Sequence, residues 1–295
     1  MTSVAVIAHT RKTLGGGLGE LREVLAGEGV ADPIWYEVPK SKKAPKCARR
    51  AVDDGADLVF VWGGDGTVQR SIDALADTEA TIAIIPAGTA NLLATNLGIP
   101  KDIGAAVHIG LHGARRELDV GVVNGERFAV MAGAGFDARM IREADSGMKD
   151  RVGRLAYVFT GAKNLRGGRV RTRIWIDGSK WFDDLAACVL VGNVGTILGG
   201  IDAFEHARPD DGRLELGVVT ADGVMQWLRA LSRTALGKAE KSPFVQTTSA
   251  QRINVRMDEA TPYELDGGAR KKAKRLKIRV EPAAITVCVP EDGDE

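Results

Sequence analysis

Short apolar runs alternate with helical periodicity over the first third of the chain. Four runs are apolar and rich in β-branched residues, and they predict buried strands at residues 4–8, 34–38, 57–62 and 81–85. Between them, apolar residues recur at helical spacing from Leu18 to Leu25 and again over 46–54 and 69–76. Strands that alternate with helices predict a parallel sheet covered by helices on both faces. Ligands in such sheets bind beyond the carboxyl ends of the strands, so the loops that follow the four runs are the first candidates for a site.

The pattern changes after about residue 119. Short β-rich segments bounded by Gly, Asp or Pro then follow at 120–123, 127–132, 170–176, 185–192, 213–219, 251–257, 275–280 and 284–289. Such spacing predicts an antiparallel sandwich or barrel, which two helical patterns interrupt, at 155–165 and 224–236.

We therefore expect two domains. An N-terminal α/β domain with a parallel sheet takes residues 1–119, and an antiparallel β-sandwich takes residues 120–290. Whether the last strand returns to the first domain is left open. Residues 291–295 are expected to form an acidic tail.

The amino-acid composition excludes several classes of protein. Hydrophobic residues make up 44% and charged residues 27% of the 295 positions, which excludes a disordered or fibrous chain. A net charge of +1 gives no overall attraction to nucleic acid. The three cysteines are far apart and favour reduced thiols in a cytoplasmic protein. The longest apolar run, 185–191, is far shorter than the roughly 20 residues of a membrane span.

The strongest local feature is a glycine-rich loop at the end of the third predicted strand. Its residues are Gly63, Gly64, Asp65, Gly66 and Thr67, and a helical pattern follows. Glycines let backbone N–H groups face a phosphate, and a helix N-terminus adds partial positive charge. Asp65 is placed where a carboxylate holds Mg²⁺ directly or through water. The alternative is an ordinary glycine turn in which Asp65 is the N-cap.

A second loop repeats this layout after the fourth strand. It contains Gly88, Thr89 and Asn91, whose polar groups would lie over the same edge of the sheet. Two such loops after successive strands predict the two sides of one nucleotide cleft. Other nucleotide motifs fail, since Glu20 breaks the dinucleotide fingerprint after Gly15–Gly19 and the chain contains no G-x-x-x-x-G-K-[ST] segment.

These segments resemble a known family. The loops at 63–67 and 86–91, followed by Leu97-Gly98-Ile99-Pro100, are similar to those of the soluble bacterial diacylglycerol kinases. That family is grouped with sphingosine and ceramide kinases and shares its fold with NAD kinases and phosphofructokinases. The resemblance implies an ATP- and Mg²⁺-dependent lipid kinase that binds nucleotide between an α/β domain and a β-sandwich.

The resemblance also implies roles for particular residues. Asp65 and Asp119 match carboxylates of the catalytic magnesium network, Asp266 matches the element that supplies the catalytic base, and Asp211 matches a second, structural magnesium loop. The chain departs from the family where Gly268 replaces a glutamate and where Gln69-Arg70 replaces Asn-Glu. The usual Asn-Pro of the first loop is Ala8-His9-Thr10, which leaves open whether His9 contacts ATP or is structural. The remaining histidines, His108, His112 and His206, show no ligand spacing.

Two basic segments suggest where negative charge is bound. Six basic residues occupy positions 40–50, beginning with Lys40, and form either a phosphate clamp or a solvated face. Seven occupy positions 270–279, and form either a surface that docks on an anionic membrane or a charged β-hairpin edge protected from aggregation. Apolar residues at 155–159, 197–198 and 227–228 line an acyl-chain groove or belong to the core.

The expected partners are ATP and a lipid at the membrane surface, with peripheral membrane contact and no nucleic acid. Homodimer formation is left open. Two other functions compete with the lipid kinase. One is a kinase of a soluble substrate, similar to NAD kinase, and the other is a nucleotide-binding regulatory protein in which Gly268 and Arg70 mark lost activity.

Overall fold

The structure is a computed structural model that describes residues 3–135, 169–197, 201–204, 206–222, 226 and 242–291. The helical pattern predicted at 155–165, that at 224–236 except for residue 226, most of the proposed acyl-chain groove and nearly all of the acidic tail lie outside these residues. The chain divides into two compact units. One is Met1–Asp119 with Ala283–Glu295, and the other is Val120–Pro282.

The first unit begins with four strands and five α-helices: β1 (Val4–His9), α1 (Gly17–Gly27), β2 (Ile34–Val38), α2 (Ala44–Asp53), β3 (Leu58–Gly63), α3 (Asp65–Leu75), β4 (Thr81–Pro86), α4 (Leu92–Asn96) and α5 (Ile103–His112). A short 3-10 helix at Ser41–Lys43 precedes α2. The remaining elements are strands: β5 (Ala114–Val123), β6 (Glu126–Phe128), β7 (Met131–Ala134), β8 (Val170–Ile176), β9 (Ser179–Ala186), β10 (Cys188–Gly192), β11 (Thr196–Ile197), β12 (Ile201–Asp202), β13 (Leu214–Val219), β14 (Val245–Ala250), β15 (Arg252–Thr261), β16 (Tyr263–Leu265), β17 (Gly268–Ala269) and β18 (Ala273–Val289).

The sheet of the first unit is parallel, in the order β2-β1-β3-β4. The end of β18 adds a further parallel strand, with Thr286 opposite Thr81 of β4. All six residues of β1 and of β3 are buried, as expected for strands covered on both faces. Helix α5 packs closely on this sheet because Gly110 has no side chain, and a Cβ there would lie 2.3 Å from the Phe60 ring.

The second unit is an antiparallel sandwich. In one sheet, the first part of β18 pairs with β15, which pairs with β8, which pairs with β9. The other sheet has the order β14-β13-β10-β7-β16-β17. Both contribute to one core, with Phe182, Ile253 and Leu276 from the first sheet and Val191 and Leu216 from the second. The predicted fold class, an α/β domain followed by an antiparallel β-sandwich, is therefore confirmed.

Several boundaries differ from the sequence prediction, and two of them concern how the strands of the second unit are divided. The run predicted as one strand at 185–192 is divided at Ala187, because β9 pairs with β8 whereas β10 pairs with β7 and β13 of the other sheet. The runs predicted separately at 275–280 and 284–289 form the single strand β18. Over the described ranges, no helix combines the length and hydropathy required to cross a bilayer.

Candidate functional site

The loops that follow β3 and β4 lie directly against each other. A Cβ on Gly88 would be 2.4 Å from the Cα of Gly64, and a Cβ on Gly64 would be 3.1 Å from the Cα of Gly88. Such distances are shorter than ordinary van der Waals contact, so glycine is required at Gly88 and strongly favoured at Gly64. The two backbones thus form one surface at the carboxyl edge of the parallel sheet.

Asp65 joins the two loops. It is the first residue of α3, and its carboxylate accepts the backbone N–H groups of Asn91 (3.0 Å) and Leu92 (2.6 Å) at the start of α4. The alternative in which Asp65 is the N-cap is wrong, since Gly64 occupies the cap position and no side chain caps the helix. The carboxylate instead fixes the second loop in place from the first.

Asn91 builds the second loop from within. Its backbone is left-handed, with φ 49°. Its side-chain oxygen accepts the N–H of Gly88 (2.9 Å), and its side-chain nitrogen donates to the carbonyls of Pro86 (3.1 Å) and Gly88 (2.8 Å). Asn91 is buried whereas Thr89 is exposed, so of the two predicted polar contacts only Thr89 lies on the surface.

Thr67 connects the glycine-rich loop to the basic segment after β2. Its buried side chain fills the space beside Gly63, where a Cβ would lie 2.6 Å from it. Its hydroxyl shares a hydrogen bond of 2.9 Å with the hydroxyl of Ser41, the residue after Lys40. Gly66 lies on the same side, with its Cβ position 4.0 Å from that hydroxyl of Ser41. The exposed Lys40 is therefore next to a residue that contacts the glycine-rich loop.

Two further lysines reach these loops, and the sequence interpretation missed both. Lys101 donates from Nζ to the carbonyl of Gly88 at 2.6 Å. The Cε of Lys12 lies 3.8 Å from the Cβ position of Gly64, and the carbonyl of Lys12 accepts the indole N–H of Trp62. Lys12 follows the carboxyl end of β1, so the rule that ligands bind there points to it, whereas no sequence pattern points to Lys101.

His9 is buried at the end of β1. Its Nδ1 accepts the backbone N–H of Arg11 at 3.2 Å, which leaves the proton of the neutral ring on Nε2. Burial lowers the pKa of His9, and the charges of Lys12 and Arg11 act in the same direction. These contacts favour the structural interpretation of His9 over a contact with ATP.

In the second unit, Asp266 is buried in a ring of backbone donors. Its carboxylate accepts the N–H groups of Ala129 (2.9 Å), Val130 (2.9 Å) and Met131 (2.8 Å), and its own N–H donates to the carbonyl of Met131. Its backbone is left-handed, with φ 45°. Asp266 therefore holds the segment between β6 and β7 in position.

An ion pair lies beside Gly268, the position at which the resemblance implies a glutamate. A Cβ on Gly268 would be 2.7 Å from Nη1 of Arg270, which donates to the carbonyl of Gly268. Arg270 also pairs with Glu126, through Nε at 2.7 Å and through Nη2. Burial of this guanidinium acts to lower its pKa, but the hydrogen bonds with Glu126 and the negative charges of Glu126 and its neighbours together raise the pKa of Arg270. Glu264 in β16 is fully buried and was also missed from the sequence.

The other predicted carboxylates have local roles. In the first unit, buried Asp119 accepts the N–H of Ala283 at 2.9 Å, which ties β5 to the returning end of β18. In the second unit, exposed Asp211 accepts the N–H of Arg213 at 2.9 Å and closes the turn before β13.

A cluster of three titratable side chains lies on the first unit outside these loops. His108 and His112 are one turn apart on α5, and both face Glu28 beyond the end of α1. Their ligating atoms lie within 4.8 Å of one another, so the expectation that these histidines lack ligand spacing is wrong. A hydrogen bond from His112 lowers the pKa of Glu28.

Comparison with known proteins gives matches over nearly the whole chain. Residues 10–123 match the model of the diacylglycerol kinase catalytic domain, and residues 130–289 match that of the YegS C-terminal NAD kinase beta sandwich-like domain. The chain is 31% identical to the diacylglycerol kinase of Bacillus subtilis (strain 168) over 232 residues, which cover 76% of this chain and 75% of the relative. It is 28% identical to the "Probable lipid kinase YegS-like" of Cronobacter sakazakii, with 88% and 87% covered.

Solved structures agree in fold. A diacylglycerol kinase from Bacillus anthracis str. Sterne superposes with a TM-score of 0.75 at 22% identity, covering 97% of this chain and 96% of that one. An NAD kinase from Archaeoglobus fulgidus, solved in complex with ATP, gives a TM-score of 0.55 at 11% identity, with 97% and 93% covered. At these identities the likeness concerns the fold alone.

Proposed function

Since the chain belongs to the diacylglycerol kinase family, we propose that it transfers the γ-phosphate of ATP to the hydroxyl of diacylglycerol or a related lipid alcohol. The observation that carries this proposal is the backbone contact between Gly64 and Gly88. Two loops without side chains at their contact, one of which leads into α3, suit the close approach of a phosphate to backbone N–H groups.

Positive charge around these loops supports a triphosphate as the ligand. Lys12 and Lys101 lie at the loops, and Lys40 precedes the residue bonded to Thr67. Phosphoryl transfer depends on positioning and charge neutralisation more than on covalent chemistry. In this proposal, the backbone after β3 orients the phosphates and the three lysines offset their charge. Thr89 supplies an exposed hydroxyl beside them.

The carboxylates of the chain fit a hard divalent cation. Oxygen donors are the ligands that Mg²⁺ prefers, and we assign Asp65 and Asp119 to the catalytic ion and Asp211 to a structural one. When bound, Mg²⁺ offsets the negative charge that develops on the transferred group. Asp65 has a second task, because its carboxylate also holds the backbone of Asn91 and Leu92.

We assign Asp266 as the base that accepts the proton of the lipid hydroxyl. An ionised carboxylate is an acceptor only, which agrees with the three N–H groups directed at it. Because these bonds hold the carboxylate in place, it would need no rearrangement before it accepts the proton of an attacking hydroxyl.

Two alternative functions compete with the lipid kinase: one is a kinase of a different substrate, and the other has no catalytic activity. A kinase of NAD shares the fold, but that likeness is at 11% identity, whereas the relatives at 28–31% identity are named as diacylglycerol or lipid kinases. The non-catalytic alternative rests on Gly268, where Arg270 fills the space of a side chain, and on Arg70.

Radioactive phosphate transfer from labelled ATP separates these possibilities. The purified chain is assayed with Mg²⁺ on diacylglycerol in mixed micelles and on NAD, and the products are resolved by chromatography. Labelled phosphatidic acid supports the proposal, and labelled NADP alone overturns it in favour of the soluble substrate. Activity that appears only in the Gly268→Glu variant supports the regulatory protein.

We also propose that the protein acts in the cytoplasm with peripheral contact at the membrane, where such a substrate resides. A homodimer stays a prediction, which size-exclusion chromatography with light scattering tests.

A further inference from the structure

One sheet of the second unit carries an outward surface of basic side chains. Burial alternates along β15, where Ile253, Val255 and Met257 enter the core while Arg252 and Arg256 are exposed. The neighbouring strands β8 and β18 alternate in the same way. We call the outward basic residues of these three strands the cationic face: Arg171, Arg173, Arg252, Arg256, Arg275, Lys277 and Arg279.

The strand register places like charges directly opposite one another. Arg252 is paired with Arg279, and Arg256 is paired with Arg275 on one side and with Arg173 on the other. Neighbouring strands are about 4.8 Å apart, so these guanidinium groups share one small area. Like charges opposite each other destabilise a sheet. The arrangement is thus unfavourable for the isolated protein and becomes favourable when an anion covers it.

Acidic residues neutralise only part of this surface. Arg171 pairs with Asp183, Arg173 pairs with Asp258, and Arg279 pairs with Glu281. Within the described part of the chain, no ion pair involves Arg252, Arg256, Arg275 or Lys277. The whole chain has a net charge of +1, so this positive charge is a local concentration.

Apolar groups accompany the cations. The guanidinium of Arg256 lies 5.0 Å from the ring centroid of Trp175, which shares the outward side of β8. Leu185, opposite Arg171, is 36% exposed. Side chains that combine an apolar body with a charged or polar end suit the interface between lipid headgroups and hydrocarbon.

Protection of a sheet edge does not account for the cationic face. Charges protect strands that lack a neighbour, but β15 has β18 on one side and β8 on the other. Arg252 and Arg256 are therefore in the interior of the sheet, where packing imposes no need for positive charge. The edge interpretation of the basic segment at 270–279 does not extend to them. Arg270 of that segment is engaged with Glu126.

We propose that the cationic face docks the protein onto a membrane surface that contains anionic phospholipid. This inference rests on the proposed function, because a lipid kinase must reach a substrate held in a bilayer. A broad sheet with cations spread over three strands matches the diffuse negative charge of an anionic membrane leaflet. Each basic residue near such a membrane surface strengthens binding about fivefold.

Vesicle binding without substrate tests the proposal. The protein is sedimented with vesicles of phosphatidylcholine alone or mixed with phosphatidylglycerol, in the absence of ATP and diacylglycerol. The parent is expected to bind only the anionic vesicles and to be released by salt. The double variant Arg256→Gln/Arg275→Gln is expected to lose about 20–30-fold in partition coefficient.

The matched control is Arg22→Gln/Arg208→Gln, which removes two exposed arginines outside the cationic face and the same net charge. It is expected to bind within about threefold of the parent. Equal loss in both double variants overturns the proposal in favour of a bulk charge effect. Parent-like binding of Arg256→Gln/Arg275→Gln also overturns it. Binding of single-stranded RNA in place of vesicles assigns the face to nucleic acid instead.

Two further measurements show whether a loss of vesicle binding results from unfolding, from loss of kinase activity or from loss of the docking surface itself. Thermal melting of Arg256→Gln/Arg275→Gln is expected to be unchanged or raised, because like charges are removed. Transfer to diacylglycerol in neutral detergent micelles is expected to equal that of the parent. If the parent protein does not bind the anionic vesicles but phosphorylates diacylglycerol in micelles, the docking surface is wrong and the kinase assignment stands. If the parent binds the anionic vesicles but transfers no phosphate in micelles, the docking surface stands and the kinase assignment is wrong.

Discussion

Substitution of Gly88 by alanine tests the contact on which the proposed nucleotide site depends. Gly88 has no positive φ, so backbone strain does not enter and only the added methyl group matters. That carbon would lie 2.4 Å from the Cα of Gly64 and 2.7 Å from Oδ1 of Asn91. To reach ordinary contact, the two loops must separate by roughly 1 Å, because both atoms belong to braced parts of the structure.

The expected magnitudes follow from that displacement. Overpacking of this kind costs about 1–3 kcal/mol in the free energy of unfolding. A shift of about 1 Å in groups that position a reactant reduces the rate by about 100-fold. We therefore expect Gly88→Ala to lower kcat/KM for phosphate transfer much more than the decrease in its folded fraction can explain. The measurements are a urea titration and the micelle assay at a temperature where the variant is folded.

Gly19→Ala is the matched control, since Gly19 lies within α1, has no positive φ and has nothing within 4 Å of its Cβ position. Alanine there is expected to stabilise the helix by about 0.5–1 kcal/mol and leave the activity unchanged. If Gly88→Ala matched the parent in both stability and kcat/KM, the close contact of the two loops would not be what builds the site.

Three further predictions concern side chains of the two units. Asp65→Asn leaves one of the N–H groups of the second loop without a carboxylate oxygen, so we expect a loss of about 1 kcal/mol in the urea titration and a loss of phosphate transfer. Asp266→Asn places an amide donor among three N–H donors and is expected to cost about 1–3 kcal/mol and to abolish transfer, both read in the same assays; parent-like activity of either variant contradicts its assignment. Because burial lowers the pKa of His9 below its unfolded value of about 6.5, its contribution to stability is complete above that pH and is lost as the pH falls toward the folded-state pKa. His9→Gln is expected to flatten this dependence in melts between pH 7 and pH 5, and an unchanged slope would contradict the explanation.

The strands and the loops were predictable because their signals are local. Strands β2 and β8 coincide with the predicted runs 34–38 and 170–176, where apolar and β-branched residues are concentrated. Helix α3 begins at Asp65, four residues before the predicted start at 69. Gly66 and Thr67 are poor helix formers, so their helical conformation depends on contacts with Gly63 and Ser41 that the sequence does not display.

The partners of the site residues were not predictable from spacing. The glycine-rich loop was identified, but nothing in the sequence shows that Asp65 bonds to the backbone of Asn91 and Leu92. Lys101 reaches Gly88 from a position that carries no motif. The pair His108 and His112 has a recognisable helical spacing, but Glu28 joins it only through the packing of α1 and α5.

Asp65 and Asp266 share a property that determines how their chemistry can be measured. Each carboxylate accepts backbone N–H groups from a segment distant in sequence, so each substitution removes structure together with any reactive group. A purely bracing carboxylate affects the folded fraction and the affinity for ATP, whereas a group that touches the reacting atoms lowers kcat among molecules that are folded and saturated. Comparison of kcat at saturating substrate, after correction for the folded fraction, therefore separates the two roles. For Asp266, a chemical role predicts that the corrected kcat of Asp266→Asn stays at the background rate at every pH, because an amide cannot accept the proton that a carboxylate accepts.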